Sequence, residues 1–113
     1  MKKIYLLMAM VTSLLYSSQV GKVGINTPSP AATLDIQPNT ANALTTATTA
    51  EGLLVPRVSR QRAANMGTTP AVSTLIYVNS VADGSAAGTT ANVDAVGFYY
   101  FNGSVWTKLN AGG

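Results

Sequence analysis

Few residues in this chain have side chains that do chemistry. Histidine and cysteine are absent from all 113 positions, which rules out Ser-His, Cys-His and His-metal constellations. Four carboxylates remain, Asp35, Glu51, Asp83 and Asp94, scattered along the chain. A glycosidase needs two facing each other across a sugar, and their spacing suggests no such pair. Asp83 and Asp94 share one loop, but their separation matches no calcium loop, so they read as solvated turn aspartates. The expectation is a non-catalytic protein with no metal and no cofactor. The notable chemistry is aromatic: "GFYYFNGSVWTKL", 97–109, holds Phe98, Tyr99, Tyr100, Phe101 and Trp106, five of the eight aromatics. Exposed, Tyr99 and Trp106 could stack on sugar rings. Buried, they would supply bulk to a core short of large side chains; left on a surface, the cluster would be an assembly contact.

The elements that position these rings follow from local pattern. Asn102-Gly103 between two apolar runs is a strong hairpin signal, since both residues tolerate the positive φ of a type I′ turn. A two-residue loop would pair Phe101 with Ser104, Tyr100 with Val105, Tyr99 with Trp106 and Phe98 with Thr107. Tyr99, Phe101 and Trp106 then share one face, and Phe98, Tyr100 and Val105 the other. Both faces are apolar, so the hairpin is expected to be covered on both sides or to offer one to a partner. "NGS" at 102–104 also fits an N-glycosylation pattern, but the turn already accounts for those letters.

Upstream, "VGKVGINTPSPAATLDI" suggests two short strands joined by a turn, one around Val23 and Ile25 and one around Leu34 and Ile36. The Ala- and Thr-rich stretch 37–51 has too little to bury and reads as a loop. In "GLLVPRVSRQRAANMG", residues 52–55 are expected to form a buried strand that Pro56 ends. Ser59 is placed to N-cap a helix of about two turns through "RQRAANM", with Gly67 at its C-terminal end. Such a short helix must pack on strands through Ala63, Ala64 or Met66. "STLIYVNS", 73–80, is a mostly apolar strand expected to be buried on both faces. Residues 81–96 read as a second low-complexity, exposed loop with a turn at Asp83-Gly84.

The chain opens "MKKIYLLMAMVTSLLYSSQ", two lysines, a short apolar run and then small and polar residues, which is the pattern of a signal peptide. The expectation is export with residues 1–18 removed, leaving 19–113 as one β-rich domain that is secreted or held at the cell surface, with no membrane insertion. The remaining charges are Lys22, Arg57, Arg60, Arg62 and Lys108 against the four carboxylates. That near-balance does not favour nucleic acid as a partner. Arg57, Arg60 and Arg62 read as a solvated or structural face. Leu, Ile, Val and Phe together number 21 in residues 19–113, close to the level where a self-sufficient core fails. Disulfides are excluded by composition, which leaves a bound metal or association with other chains as the means of stabilisation.

Several motifs resemble one family in order along the chain. "VGINTPSPAATLDI" is similar to the Val-Gly-Ile-x-Thr-x-x-Pro-x-Ala-x-Leu-Asp-Val opening of bacterial secreted and phage tail-fibre-like proteins. "GLLVPRVSRQRAANM" resembles their Pro-Arg-Leu-Thr-x-x-Gln-Arg segment, with Pro56, Arg57, Val58, Ser59, Gln61 and Arg62 on matching positions. "TLIYVNS" and "YYFNGSVWTKL" resemble the strand and the closing Tyr-x-x-Asn/Asp-Gly-x-x-Trp hairpin. The resemblance implies a mainly β, elongated, fibre-like unit built of short strands and hairpins with one short helix, trimeric through contacts with copies of itself. Surface glycans and other fibre components are further partners it allows. Residues after Leu109 carry no coiled-coil or chaperone pattern, and the expectation is a short fibre-like secreted protein, with a fragment of a longer fibre gene and a small carbohydrate-binding module using exposed aromatics as the alternatives. Phe98, Tyr99, Tyr100, Phe101 and Trp106 are the candidate assembly or glycan contacts. Pro56, Arg57, Ser59, Asn102 and Gly103 are the candidate turn and cap residues.

Overall fold

The computed structural model describes residues 21–110; the expected signal peptide, 1–18, lies outside the described residues. The chain divides into two compact units, one ending at Glu51 and the other beginning at Gly52.

In the first unit, β1 (Val23–Ile25) and β2 (Leu34–Ile36) are the two short strands expected, but they pair in parallel, Val23 with Leu34 and Ile25 with Ile36. Their connection is short for a parallel pair, and particular residues make it close. Asn26 turns the chain at φ 62°, and its side-chain amide donates to Gln37 O at 3.0 Å. Pro30 is buried, and a Cβ on Gly24 would lie 2.7 Å from Pro30 Cγ and 2.6 Å from Thr27 O. The crossing loop therefore rests on a bare glycine. Asp35 Oδ2 accepts the Ala31 N–H at 2.8 Å and holds the far end of the loop. Beyond β2, residues 37–51 form the expected loop, exposed apart from half-buried Asn42 and broken by one 3₁₀ turn, Thr40–Asn42.

The second unit is a four-stranded sheet in the order β3 (Arg57–Ser59), β4 (Leu75–Ser80), β5 (Gly97–Phe101), β6 (Trp106–Lys108). β3 runs parallel to β4, and the other pairs are antiparallel. The strand expected at 52–55 is not formed. That stretch carries no strand pairing, and Leu53 and Leu54 are 61% and 79% exposed. Pairing begins at the proline instead: Pro56 has no N–H to give, but its carbonyl accepts the Tyr77 N–H at 2.9 Å. Helix α1 (Arg60–Asn65) follows as expected, with Ser59 Oγ accepting the Arg62 N–H at 3.2 Å and Gly67 at φ 58° just beyond it.

The core lies on one face of this sheet. Ala63 from α1, Ile76, Val78, Tyr99, Phe101 and Trp106 from the strands, and Val93 from the 81–96 segment are buried there, with Val58, Met66 and Val81 packed against them. The segment 81–96 is thus not merely an exposed loop. Its 3₁₀ turn, Gly88–Thr90, buries Thr90 fully, and Val93 is a core residue.

The hairpin departs from its expected register. Phe101 faces Trp106 and Tyr100 faces Thr107, two positions beyond the expected partners. Asn102 N–H donates to Val105 O at 3.1 Å, while Asn102 Oδ1 accepts both the Ser104 and Val105 N–H groups at 2.9 Å. Gly103 has φ 102°, but Asn102 has no positive φ, so a type I′ turn is not formed. The Asn102 side chain takes the Val105 amide and moves the tip to Gly103-Ser104. Because the slip is an even number of residues, every side chain keeps its expected face.

Candidate assembly surface

The alternation of the strands sorts the aromatics into two populations. Tyr99, Phe101 and Trp106 point into the core and are 1%, 0% and 0% exposed. Phe101 and Trp106 meet edge to face with ring centres 5.1 Å apart, a favoured aromatic geometry. The Tyr99 hydroxyl donates to Ala95 O at 2.7 Å, and Trp106 Nε1–H donates to Ala63 O at 3.4 Å. Each buried ring with a polar atom therefore satisfies it. A sugar platform built on Tyr99 and Trp106 lacks its surface, because both rings are inside.

The opposite face carries Leu75, Tyr77, Phe98 and Tyr100, with Thr107 opposite Tyr100. Phe98 is 45% exposed and the others are half-buried. Tyr77 and Phe98 stack edge to face, 4.9 Å between centres. Register sets Arg57 of β3 beside Tyr77; Arg57 is exposed, and its Nη1 donates to Val55 O at 2.7 Å. The Thr107 hydroxyl is the one buried side-chain polar atom among the described residues with no hydrogen-bond partner. Of the sequence-predicted contacts, this face unites Phe98 and Tyr100 and excludes the other three. Tyr77 and Leu75 were missed as members. Their signal was present in "LIYV", where Leu75 and Tyr77 alternate with Ile76 and Val78, but the run reads as buried on both faces.

The polar residues hold the sheet's covered side. Arg60 spreads its guanidinium over four main-chain carbonyls of the 81–96 segment: Val81 at 2.7 Å, Val93 at 3.0 Å, Asp83 at 3.2 Å and Gly84 at 3.3 Å. It is structural, as one reading of the arginine cluster had it. Asp83 Oδ1 accepts the Gln61 N–H at 3.2 Å at the start of α1. The Ser59 hydroxyl, more than any other group, holds its carboxyl below the ordinary value. Gly84, at φ 63°, has Gln61 backbone atoms 3.1 Å from where a Cβ would be. Asp94 pairs with Lys108 across the edge of β6, and that hydrogen bond lowers the carboxyl and raises the amine. Glu51 accepts the Asn39 N–H at 2.7 Å. Each carboxylate thus serves an amide or a lysine, and among the described residues no three metal-ligating side chains gather.

The model of a family described as the phage tail like trimerisation region matches residues 22–113. The chain belongs to this family. No curated protein and no solved structure matches it. The match covers both units of the trimerisation region, including the parallel pair β1–β2 and the sheet with the half-exposed aromatic face. Among the described residues of the trimerisation region, eleven large apolar side chains are exposed: Val23, Ile25, Leu34, Ile36, Leu44, Leu53, Leu54, Val72, Val96, Phe98 and Leu109. Four of them, Val23, Ile25, Leu34 and Ile36, stand together in the β1–β2 register.

Proposed function

We propose that this protein is a non-catalytic structural module, a homotrimer in a fibre-like assembly that is exported and acts outside the cell or at its surface. The observation that carries the reading is the sheet face of Leu75, Tyr77, Phe98 and Tyr100, half-exposed in one chain of a family described by its trimerisation. Identical neighbours covering that face would desolvate Phe98, and obligate contacts of this kind bury roughly 2,000 Å² or more. Export rests on the Lys-Lys start and short apolar run ahead of Gln19.

Light scattering on the mature protein at micromolar concentration tests the assembly. The expected mass is three chains. Phe98→Lys should convert it to a folded monomer, because an ammonium would have to be buried unpaired. A wild-type protein that is a stable, folded monomer overturns the reading. Intact-mass measurement of the secreted product tests export, with loss of about 18 residues expected on the signal-peptide pattern.

A further inference from the structure

We infer that the aliphatic face of the β1–β2 pair, Val23, Ile25, Leu34 and Ile36, is a second contact between copies of this chain, formed where the same segments of the partner copies meet. The register puts Val23 opposite Leu34 and Ile25 opposite Ile36, so all four share one face. They are 53%, 48%, 51% and 37% exposed. The other face is already closed: the loop rests on Gly24 through Thr27 and Pro30, and Asp35 holds the Ala31 N–H.

Two three-residue strands fall below the size that holds together alone in water, and parallel strands are normally covered on both faces. The bare face therefore needs a cover. Its occupant is a second copy because the trimerisation family's match, 22–113, contains both strands. The face also has no charge to obstruct self-packing. Lys22 donates to Pro30 O and Asp35 binds Ala31 and Gln37, so the charges adjoining the strands are engaged with the loop and the following residue. A closed cyclic arrangement brings like side chains together around its axis, where three such quartets make a small aliphatic plug. This inference rests on the trimeric reading but uses a surface separate from the aromatic face.

The chain has no cysteine, so single-cysteine variants report without background. In the mature protein, Ile25→Cys and, separately, Leu34→Cys are treated with a short bismaleimide, with Ser29→Cys on the loop of the closed face as control. Covalent dimers on a denaturing gel are expected from the first two and not from the control. A trimeric protein in which neither Ile25→Cys nor Leu34→Cys cross-links, because the face is covered by its own chain or another component, overturns the inference and leaves the trimer standing. Equal cross-linking of the control overturns it too. A monomeric wild-type protein overturns both.

Discussion

At the scale of single residues, Arg60 has the largest reach. Its four carbonyl partners come from residues 81–93, and it is the reason that an Ala- and Gly-rich segment has a defined path. Replacing it with Met would leave those carbonyls without their donor at the edge of the core. The expected loss is about 3 kcal/mol by urea unfolding, since hydrogen bonds to charged groups are the stronger ones and stranded acceptors cost more. Asp83 makes a pH-dependent contribution. Its carboxyl is held below the ordinary value, first by the Ser59 hydroxyl and then by the Gln61 N–H. A carboxyl lowered by folding stabilises fully above its unfolded value of about 4, and that stability is lost as pH falls through the lower folded value. Asp83→Asn should therefore show a shallower fall in its urea midpoint between about pH 5 and pH 2 than the wild-type chain. An unchanged slope would mean that Asp83 takes no part in the acid response.

Among the elements, those with local signals were legible in the sequence. Ser59 and Gly67 bracket α1 because capping is a matter of adjacent backbone groups. Val23, Ile25, Leu34 and Ile36 mark β1 and β2 by alternation alone, but the parallel direction depends on a loop resting on Gly24, which no alternation reveals. The strand after Pro56, rather than before it, depends on Tyr77 in another strand finding the Pro56 carbonyl. Val93 and Thr90 join the interior because Arg60, distant in sequence, draws their segment over the sheet. The aromatic face was half legible: Phe98 and Tyr100 were read in the sequence, and Tyr77 arrives only with the β4–β5 register. In the hairpin, Gly103 at φ 102° has Val72 Cγ2 3.2 Å from where a Cβ would stand. Gly103→Val should lower stability by about 1 kcal/mol or more, read as a drop in melting temperature. Trp106→Ala, which empties the centre of the core, should cost about 3–5 kcal/mol.

For the molecule as a whole, the covered sheet face and the bare surfaces predict behaviour that depends on concentration. If folding is coupled to association, a tenfold increase in chain concentration should raise the melting temperature measurably, because partners bind the folded state alone. A melting temperature independent of concentration would place the stability within one chain. The two units add a second expectation. Gly24→Ala, which sets a Cβ 2.6 Å from a backbone oxygen, should speed hydrogen exchange at the Val23 and Gln37 amides and leave that of Tyr77 and Phe101 unchanged.

The acceptors that Arg60 gathers are main-chain oxygens, atoms that every amino acid carries. The contour of 81–96 is therefore largely independent of the spelling at exposed positions such as Ala86, Ala91 and Asn92. Those positions are free to drift, or to accept an engineered epitope, while the arginine preserves the outline. In a three-chain assembly, each such graft would be displayed in triplicate.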